Sequence, residues 1–295
     1  MTTFELLIQL LILGICLGGV YALMASGLTL VFGVMRIVNL SHAILMMIAS
    51  YITYFAFQLY GLDPILSLVL TMPIMYVVGM LVYKIFFSRL SKDARYGELT
   101  VLLTFSIALI FEGLLGYFFT NTFRSVSPTY ATSAFVFGNI IIPKGQFYAT
   151  VLSIVLIFLL WAFLRYTRTG NAIRATMQNT TAAQVVGINI EKAALVAFGI
   201  GTALGGAAGS LDAFLFPFYP ARHWEWIAIL LSLIVLGGMG SLMGALVGAM
   251  VLAISSVYVS QFLGPTWSPV TFYLALFLIL LFRPQGLFGK KMEVK

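Results

Sequence analysis

Charged residues are scarce in this sequence. Only 8% of its 295 residues are Asp, Glu, Lys or Arg, whereas soluble domains carry about 25%. Apolar residues take their place: 61% of the chain is hydrophobic and the mean hydropathy is +1.06. This composition excludes an ordinary soluble domain and indicates a protein that crosses a membrane many times.

Residue types that carry catalysis and metal binding are also rare. Cys16 is the only cysteine, and His42 and His223 are the only histidines, so an intrachain disulfide, a cysteine metal site and a His-Glu-x-x-His zinc motif are excluded. The glycine-rich run 199–210 lacks the Gly-Lys-Ser/Thr ending of a phosphate-binding loop. We therefore predict no metal, no cofactor and no enzymatic activity in this chain. Any nucleotide-driven step must belong to another polypeptide.

Long apolar runs supply the membrane-spanning segments, since about 20 apolar residues in a helix cross a hydrocarbon core of about 30 Å. One run is long enough for two short crossings that turn near Gly237, Gly238 and Gly240. The sequence predicts one all-α transmembrane domain, residues 1–295, built as a bundle of eight or nine spans. The runs cover residues 6–35, 40–60, 64–87, 99–120, 146–164, 193–213, 226–262 and 267–282.

Most of the positive charge falls in three clusters, which hold twelve of the sixteen Lys and Arg residues. Because cytoplasmic loops collect Lys and Arg, the clusters predict a cytoplasmic C-terminus, an extracytoplasmic N-terminus and an extracytoplasmic loop at 121–145. The net charge of +7 then follows from topology, and no nucleic-acid partner is expected. The clusters are Lys84, Arg89, Lys92 and Arg95; Arg165, Arg168, Arg174 and Lys192; and Arg283, Lys290, Lys291 and Lys295.

Glycines recur at four-residue spacing in two of the runs. Such small residues let helix backbones approach closely within lipid. Two interpretations remain open: a tightly packed bundle, or helices that slide or rock against each other around a transport path. The predicted helix-packing positions are Gly201, Gly205 and Gly209, and Gly240, Gly244 and Gly248.

Five polar residues inside or between the apolar runs are candidates for a translocation path. A charge within a span costs roughly 2.5–3.5 kcal/mol on insertion scales. The presence of Glu112 and Asp212 within spans therefore needs a structural or functional explanation. For Glu112 the alternative to a path role is a hydrogen bond to a neighbouring helix. For Asp212 it is a position at the membrane interface. Asn39, Ser41 and His42 belong to a polar knot, RIVNLSH, that is either buried at depth or a plain cytoplasmic turn.

The longest polar interruption lies on the predicted cytoplasmic side, at about residues 165–192. Asn179 or Thr180 as N-cap and Gly187 as C-terminal stop predict a helix of about two turns there. So short a helix is not stable alone. We expect it to dock into a groove on a cytoplasmic partner, because the chain has no other sizeable cytoplasmic element; packing on its own membrane helices is the alternative. Its apolar flank would be Ala182, Ala183, Val185 and Val186, with Arg174, Gln178 and Gln184 as hydrogen-bond donors.

Four segments resemble one family of transport proteins. GNAIRATMQNTTAAQVVGIN, at 170–189, is similar to the cytoplasmic coupling loop of the permease subunits of branched-chain amino acid ABC importers, of the LivH type. GLTLVFGVMRIVNLSHA, LGGMGSLMGALVGA and LLFRPQGLFG agree with the same family. The resemblance implies the ABC importer permease fold and a loop that contacts an ATP-binding subunit. The loop residues are Arg174, Gln178, Thr180, Thr181, Ala182, Ala183, Val185, Val186, Gly187 and Ile188.

What the resemblance implies about function extends beyond this chain. It implies import of Leu, Ile and Val across the bacterial inner membrane by alternating access, driven by ATP and Mg bound to two separate ATP-binding subunits. A second permease of the LivM type, an extracytoplasmic solute-binding protein and membrane lipid are the other partners. The alternatives are the same machinery carrying urea, short amides or other amino acids, and a stand-alone ion-coupled carrier that titrates Glu112.

Two residues depart from the family pattern. Thr181 stands where the family commonly has an acidic residue, and Ala43 stands where it commonly has Gly. An ion pair from the loop helix to the ATP-binding subunit, and close backbone packing beside His42, are therefore not carried over from the family.

The predicted outer loop, 121–145, contains a hairpin pattern. The sequence FVF-GN-III predicts two short strands joined by a tight turn at Gly138 and Asn139. This loop either receives a substrate-loaded binding protein or packs as a lid on its own bundle.

Overall fold

The computed structural model describes residues 2–90 and 95–289, which are mostly helical. The helices are α1 (Thr3–Met35), α2 (His42–Tyr60), α3 (Leu68–Val82), which continues through a π-helical segment (Tyr83–Phe87) into α4 (Ser88–Leu90), α5 (Tyr96–Phe119), α6 (Lys144–Tyr166), α7 (Arg168–Gln178), α8 (Thr180–Val185), α9 (Ile190–Leu215), α10 (His223–Gly237), α11 (Leu242–Leu263) and α12 (Ser268–Phe282). Strands β1 (Ala134–Phe137) and β2 (Ile140–Pro143) form the predicted antiparallel hairpin.

Eight helical segments of the described chain are long and apolar enough to cross a membrane. The first apolar run is one continuous helix, α1, of 33 residues. The run 226–262 divides where predicted, at a turn in which Gly238 and Gly240 have φ of 105° and 83°. Its first part lies in α10, which has only 15 residues and is too short for an ordinary span. The all-α bundle is confirmed, and the chain is a multi-pass membrane protein.

Helix α2 begins inside the bundle. After α1 ends at Met35, the chain turns back, and Thr104 Oγ1 in α5 donates a hydrogen bond to the Val38 carbonyl at 3.4 Å. His42, the first residue of α2, lies against Gly27. Gly27 is eight residues before the end of α1, or about 12 Å at 1.5 Å per residue. The start of α2 therefore lies well within the membrane-spanning part of the protein.

Helix α10 begins inside the bundle as well. The segment that follows α9 pairs with the outer loop through Phe218 and Arg124. Trp224, at the start of α10, contacts Glu112, which lies seven residues, or about 10 Å, before the end of α5. Helix N-termini carry partial positive charge, and interrupted helices of this kind place such ends at depth in transporters. Two positive helix ends thus face the interior.

Helices α1 and α9 form the centre of the bundle. They cross at Gly27 and Gly201, where a Cβ on Gly27 would lie 2.5 Å from the Gly201 carbonyl oxygen and one on Gly201 would lie 2.8 Å from the Gly27 oxygen. Gly14 of α1 packs on α11, and Gly206 of α9 packs on α3. Without side chains at these points, the backbones approach closely enough for dispersion contacts to hold the helices together in lipid.

The two predicted glycine stripes differ in the structure. On α9, Gly205 lies against His42 and Gly209 lies against the backbone of Met46. The stripe 240–248 is not continuous, because Gly240 belongs to the turn before α11 and has a positive φ. Only Gly244 and Gly248 lie on that helix, where both pack against α10. The assignment of Gly240 to a helix-packing stripe was therefore wrong.

The segments between helices collect at two opposite ends of the bundle. At one end the start of α1 meets the hairpin, since Gln9 Nε2 donates to the Ile141 carbonyl at 2.8 Å. At the other end Arg36 donates to the Met177 carbonyl at 3.0 Å, and the backbone N–H of Leu287 donates to the Leu236 carbonyl at 2.8 Å. The described members of the three cationic clusters belong to this second end, which we call the cationic end. Lys92, Lys290, Lys291 and Lys295 lie outside the described residues.

Candidate functional site

The predicted short helix in the polar interruption is α8. Of the two predicted N-caps, Asn179 is used: its Oδ1 accepts a hydrogen bond from the Ala182 N–H at 2.9 Å. The helix ends at Val185, and Gly187, with φ of 85°, donates its N–H to the Gln184 carbonyl at 2.9 Å. A left-handed φ favours glycine after a helix end, so Gly187 is the stop that the sequence predicted.

Helix α7 precedes α8 and was not predicted. Thr167 caps it, accepting the Gly170 N–H at 2.9 Å, while Ile173 and Thr176 are buried against the bundle. Helix α8 lies against α7 and α9, and Ala183 is its buried residue. The expectation that no other sizeable element of the chain would cover α8 was therefore wrong, and packing on its own chain accounts for one face of the helix.

The rest of α8 points away from the bundle. Val185 is 83% exposed and Val186 is 74% exposed, so the predicted apolar flank is divided, with Ala183 inside and both valines outside. The other exposed loop residues are Arg174, Gln178, Thr181, Ala182 and Gly187, while Thr180 and Ile188 are half-buried. Neighbouring branched apolar side chains at the end of a short helix, beyond the lipid-spanning region, are suited to contact with another protein.

The polar knot before α2 is buried. Asn39, Ser41 and His42 are each at most 1% exposed, so the alternative of a plain cytoplasmic turn is wrong. Asn39 Oδ1 accepts two hydrogen bonds from Ser41, one from the hydroxyl Oγ at 2.7 Å and one from the backbone N–H at 3.1 Å. Neither ring nitrogen of His42 completes a hydrogen bond, although the Met24 carbonyl lies near the ring. The knot fixes where α2 begins, wedged between α1 and α9.

Asp212 is also buried. Its side chain has no solvent exposure, and Ser50 Oγ lies 3.5 Å from Oδ2 while donating at 2.9 Å to the Gly209 carbonyl. The other carboxyl oxygen, Oδ1, has no hydrogen-bond partner in the described chain. Asp212 therefore belongs to the packing between α2 and α9, three residues before the end of α9.

The sequence left two roles open for Glu112, a place on a translocation path and a hydrogen bond to a neighbouring helix, and the structure shows features of both. Its Oε2 accepts a hydrogen bond from Trp224 Nε1 of α10 at 3.0 Å, yet 24% of its side chain remains exposed. His223 Nε2 lies 4.0 Å from the same oxygen, and Arg222 forms an ion pair of 3.6 Å with Glu225 at the start of α10. His223 and Trp224 were missed because 111 or more residues separate them from Glu112; the charged and aromatic string RHWE at the edge of an apolar run was the available signal.

A sequence model of the family described as the permease component of the branched-chain amino acid transport system matches residues 10–282. The chain belongs to this family. It is 28% identical over 294 residues to the high-affinity branched-chain amino acid transport system permease protein BraD of Pseudomonas aeruginosa, covering 96% of each protein. It is 29% identical over 304 residues to the permease LivH of Escherichia coli K12, covering 97% of each.

A solved structure shares the fold. The chain is similar to a chain of PsaBC from Streptococcus pneumoniae in complex with Fab, with a TM-score of 0.51, 10% identity and coverage of 94% of this chain and 92% of that one. At this identity the likeness concerns the fold alone. As a transport permease, the protein is a transport subunit and not a known type of enzyme.

The surface of this permease is not uniformly suited to lipid. Exposed side chains along α3, α6 and α12 are apolar, as at Ile74, Phe158 and Phe277. Between α5 and α10, in contrast, the carboxylate of Glu112 is 24% exposed. Because charged groups that face hydrocarbon are costly, this part of the surface needs cover from protein or water. The described residues contain no group of three or more His, Cys, Asp or Glu placed to hold a metal ion.

Proposed function

We propose that this chain is the permease subunit of an ABC importer that moves branched-chain amino acids by alternating access. The observation that carries the proposal is α8, a capped helix at the cationic end with Val185 and Val186 exposed, in a chain whose relatives are named as branched-chain amino acid permeases. A short helix with an apolar outer flank can seat in a groove on a soluble subunit. Closure of that subunit would then move α7 and α8 against the bundle.

The proposed partners follow from three exposed surfaces. Two ATP-binding subunits, which would hold ATP and Mg, are assigned to α8 and to its counterpart on a second permease of the LivM type. The second permease is assigned to the region between α5 and α10, where the partly exposed carboxylate of Glu112 needs cover. A solute-binding protein is assigned to the hairpin tip, where Val136, Phe137 and Ile141 are exposed, while Val126 at the base of the loop is buried.

The proposed location is a bacterial inner membrane, with the cationic end in the cytoplasm and the hairpin end outside. The support is the positive-inside rule together with the hydrogen bonds from Asn139 Nδ2 to Glu5, both 3.2 Å, that hold the start of α1 at the hairpin end.

Single-cysteine labelling tests this orientation. In a Cys16→Ser background without ATP-binding subunits, a membrane-impermeant maleimide is expected to label Asn139→Cys and Glu5→Cys in intact spheroplasts. It is expected to label Gln178→Cys only after lysis, because that exposed side chain lies at the other end. Labelling of Gln178→Cys in intact spheroplasts would reverse the orientation. The Cys16→Ser protein without an added cysteine is the blank.

Reconstitution tests the function. Proteoliposomes that contain the permease, its LivM-type partner, both ATP-binding subunits and the leucine-loaded binding protein are expected to accumulate leucine only when ATP is enclosed with the ATP-binding subunits. Failure of every ligand of the binding protein to accumulate would refute the importer. Accumulation driven by a proton or sodium gradient in liposomes that hold this chain alone would favour the ion-coupled carrier instead.

A further inference from the structure

Two hydrogen-bond acceptors face each other between α5 and α10. His223 Nδ1 lies 2.9 Å from the Pro220 carbonyl oxygen; a carbonyl can only accept, so Nδ1 carries a hydrogen. In the neutral ring Nε2 is then an acceptor. It is buried, has no hydrogen-bond partner among the described residues and lies 4.0 Å from the carboxylate oxygen Glu112 Oε2. Two acceptors do not form a hydrogen bond with each other. Both are satisfied only when a hydrogen-bond donor group binds between them.

No cation of the described chain neutralises Glu112. Arg222, the nearest basic side chain along α10, is paired with Glu225 at 3.6 Å and donates to the Pro217 carbonyl. Glu112 receives one neutral hydrogen bond, from Trp224, and the N-terminal end of α10 adds partial positive charge. A carboxylate within a span, partly exposed and without a full positive partner, is suited to a cationic ligand group.

Trp224 contacts both members of this pair. The centroids of its ring and of the His223 imidazole are 4.3 Å apart, and Phe105 of α5 lies against it at 5.4 Å between centroids. The indole therefore lies next to both acceptors, with its N–H on Glu112 and its ring against His223.

We propose that Glu112 and His223, with Trp224 beside them, bind the primary ammonium group of the transported amino acid. The inference rests on the proposed function of amino-acid import. An ammonium nitrogen about 2.8 Å from both acceptors would subtend an angle of about 90° between acceptors 4.0 Å apart, close to the tetrahedral arrangement of its hydrogens. One N–H would bond to the carboxylate and a second to Nε2, as charge-assisted hydrogen bonds.

Crossed substitutions separate this role from a structural one. Glu112→Gln keeps an oxygen that can accept the Trp224 hydrogen bond and removes the charge, whereas Trp224→Phe removes the N–H donor and keeps the charge and an aromatic ring. In reconstituted importer at saturating leucine-loaded binding protein, we expect Glu112→Gln to lower ATP-driven uptake at least about tenfold and Trp224→Phe to lower it less than about threefold. Glu98→Gln, which neutralises an exposed carboxylate in the first turn of the same helix, α5, is the matched control and should retain uptake.

A second measurement identifies the ligand chemistry. With wild-type importer, excess 3-methylbutylamine, which has the ammonium without the carboxylate, is expected to inhibit leucine uptake, and 4-methylpentanoate, which has the carboxylate without the ammonium, is expected not to. The melting temperature of the Glu112→Gln permease without ligand should stay within about 2 °C of wild type.

Several results would overturn the proposal while leaving the importer intact. The first is normal uptake by Glu112→Gln, whether or not Trp224→Phe loses uptake. The second is a large drop in the melting temperature of Glu112→Gln, which would indicate a structural ion pair with protonated His223. The third is inhibition of leucine uptake by 4-methylpentanoate but not by 3-methylbutylamine. Absence of leucine uptake by the wild-type importer would instead refute the function on which the proposal rests.

Discussion

Replacing Val185 and Val186 together with Asp is expected to abolish ATP-driven uptake by the assembled importer while the permease remains folded and inserted. In the permease alone the two side chains are 83% and 74% exposed, so carboxylates there remain hydrated. In a groove on an ATP-binding subunit they would be desolvated without a partner, at a cost of several kcal/mol. Since each 1.4 kcal/mol of binding free energy changes the affinity tenfold, we expect the variant to bind the ATP-binding subunits at least about a hundredfold more weakly.

The measurements are uptake into proteoliposomes and co-purification of the ATP-binding subunits. Thr181→Asp is the matched control, because it adds a carboxylate to an exposed position of the same helix, one where the family commonly has an acidic residue; it should retain uptake. Val185→Ser with Val186→Ser removes the apolar surface without charge and should give an intermediate loss. Normal co-purification of the Asp double variant would place the docking surface elsewhere.

Helix α8 was predictable and α7 was not, for a physical reason. Helix α8 is delimited by local chemistry, the Asn179 cap and the positive φ of Gly187, and both leave a mark in the sequence. Helix α7 also begins at a local cap, Thr167, but it is held in place by contacts that Ile173 and Thr176 make with the bundle, which the sequence alone does not show. Tertiary packing of an amphipathic face, more than propensity, stabilises such helices.

The spans were predictable because lipid selects apolar runs of a fixed length. Depth within the membrane was not predictable, because it depends on neighbours: His42 lies at depth since Gly27 and Gly205 leave room for its ring. Spacing alone also misplaced Gly240, since a four-residue repeat continues through a turn as easily as through a helix. The pairing of Glu112 with Trp224 joins residues 112 positions apart, and the burial of Asp212 depends on Ser50 in another helix.

The crossing of α1 and α9 leads to the second large expected effect. Gly27→Ala and Gly201→Ala should each lower the free energy of unfolding of the permease by about 1–3 kcal/mol, the usual cost of overpacking. The added Cβ would lie 2.5 Å from the Gly201 oxygen in the first case and 2.6 Å from Val31 Cγ2 and 2.8 Å from the Gly27 oxygen in the second. A helix carbonyl cannot rotate away alone, so the two central helices must separate. Thermal unfolding of the purified permease in nanodiscs measures the loss.

Gly113→Ala and Gly116→Ala are the matched controls, because they lie in α5 and nothing is within 4 Å of an added Cβ. Since Ala is a better helix former than Gly by about 1 kcal/mol, these variants should melt at or slightly above the wild-type temperature. Combining Gly27→Ala with Gly201→Ala should cost less than the sum of the two, because the helices, once separated to admit one methyl group, leave room for the other. Additive losses would mean that the two glycines do not face each other across one contact. If Gly27→Ala had the same melting temperature as Gly113→Ala, α1 and α9 would not cross at Gly27.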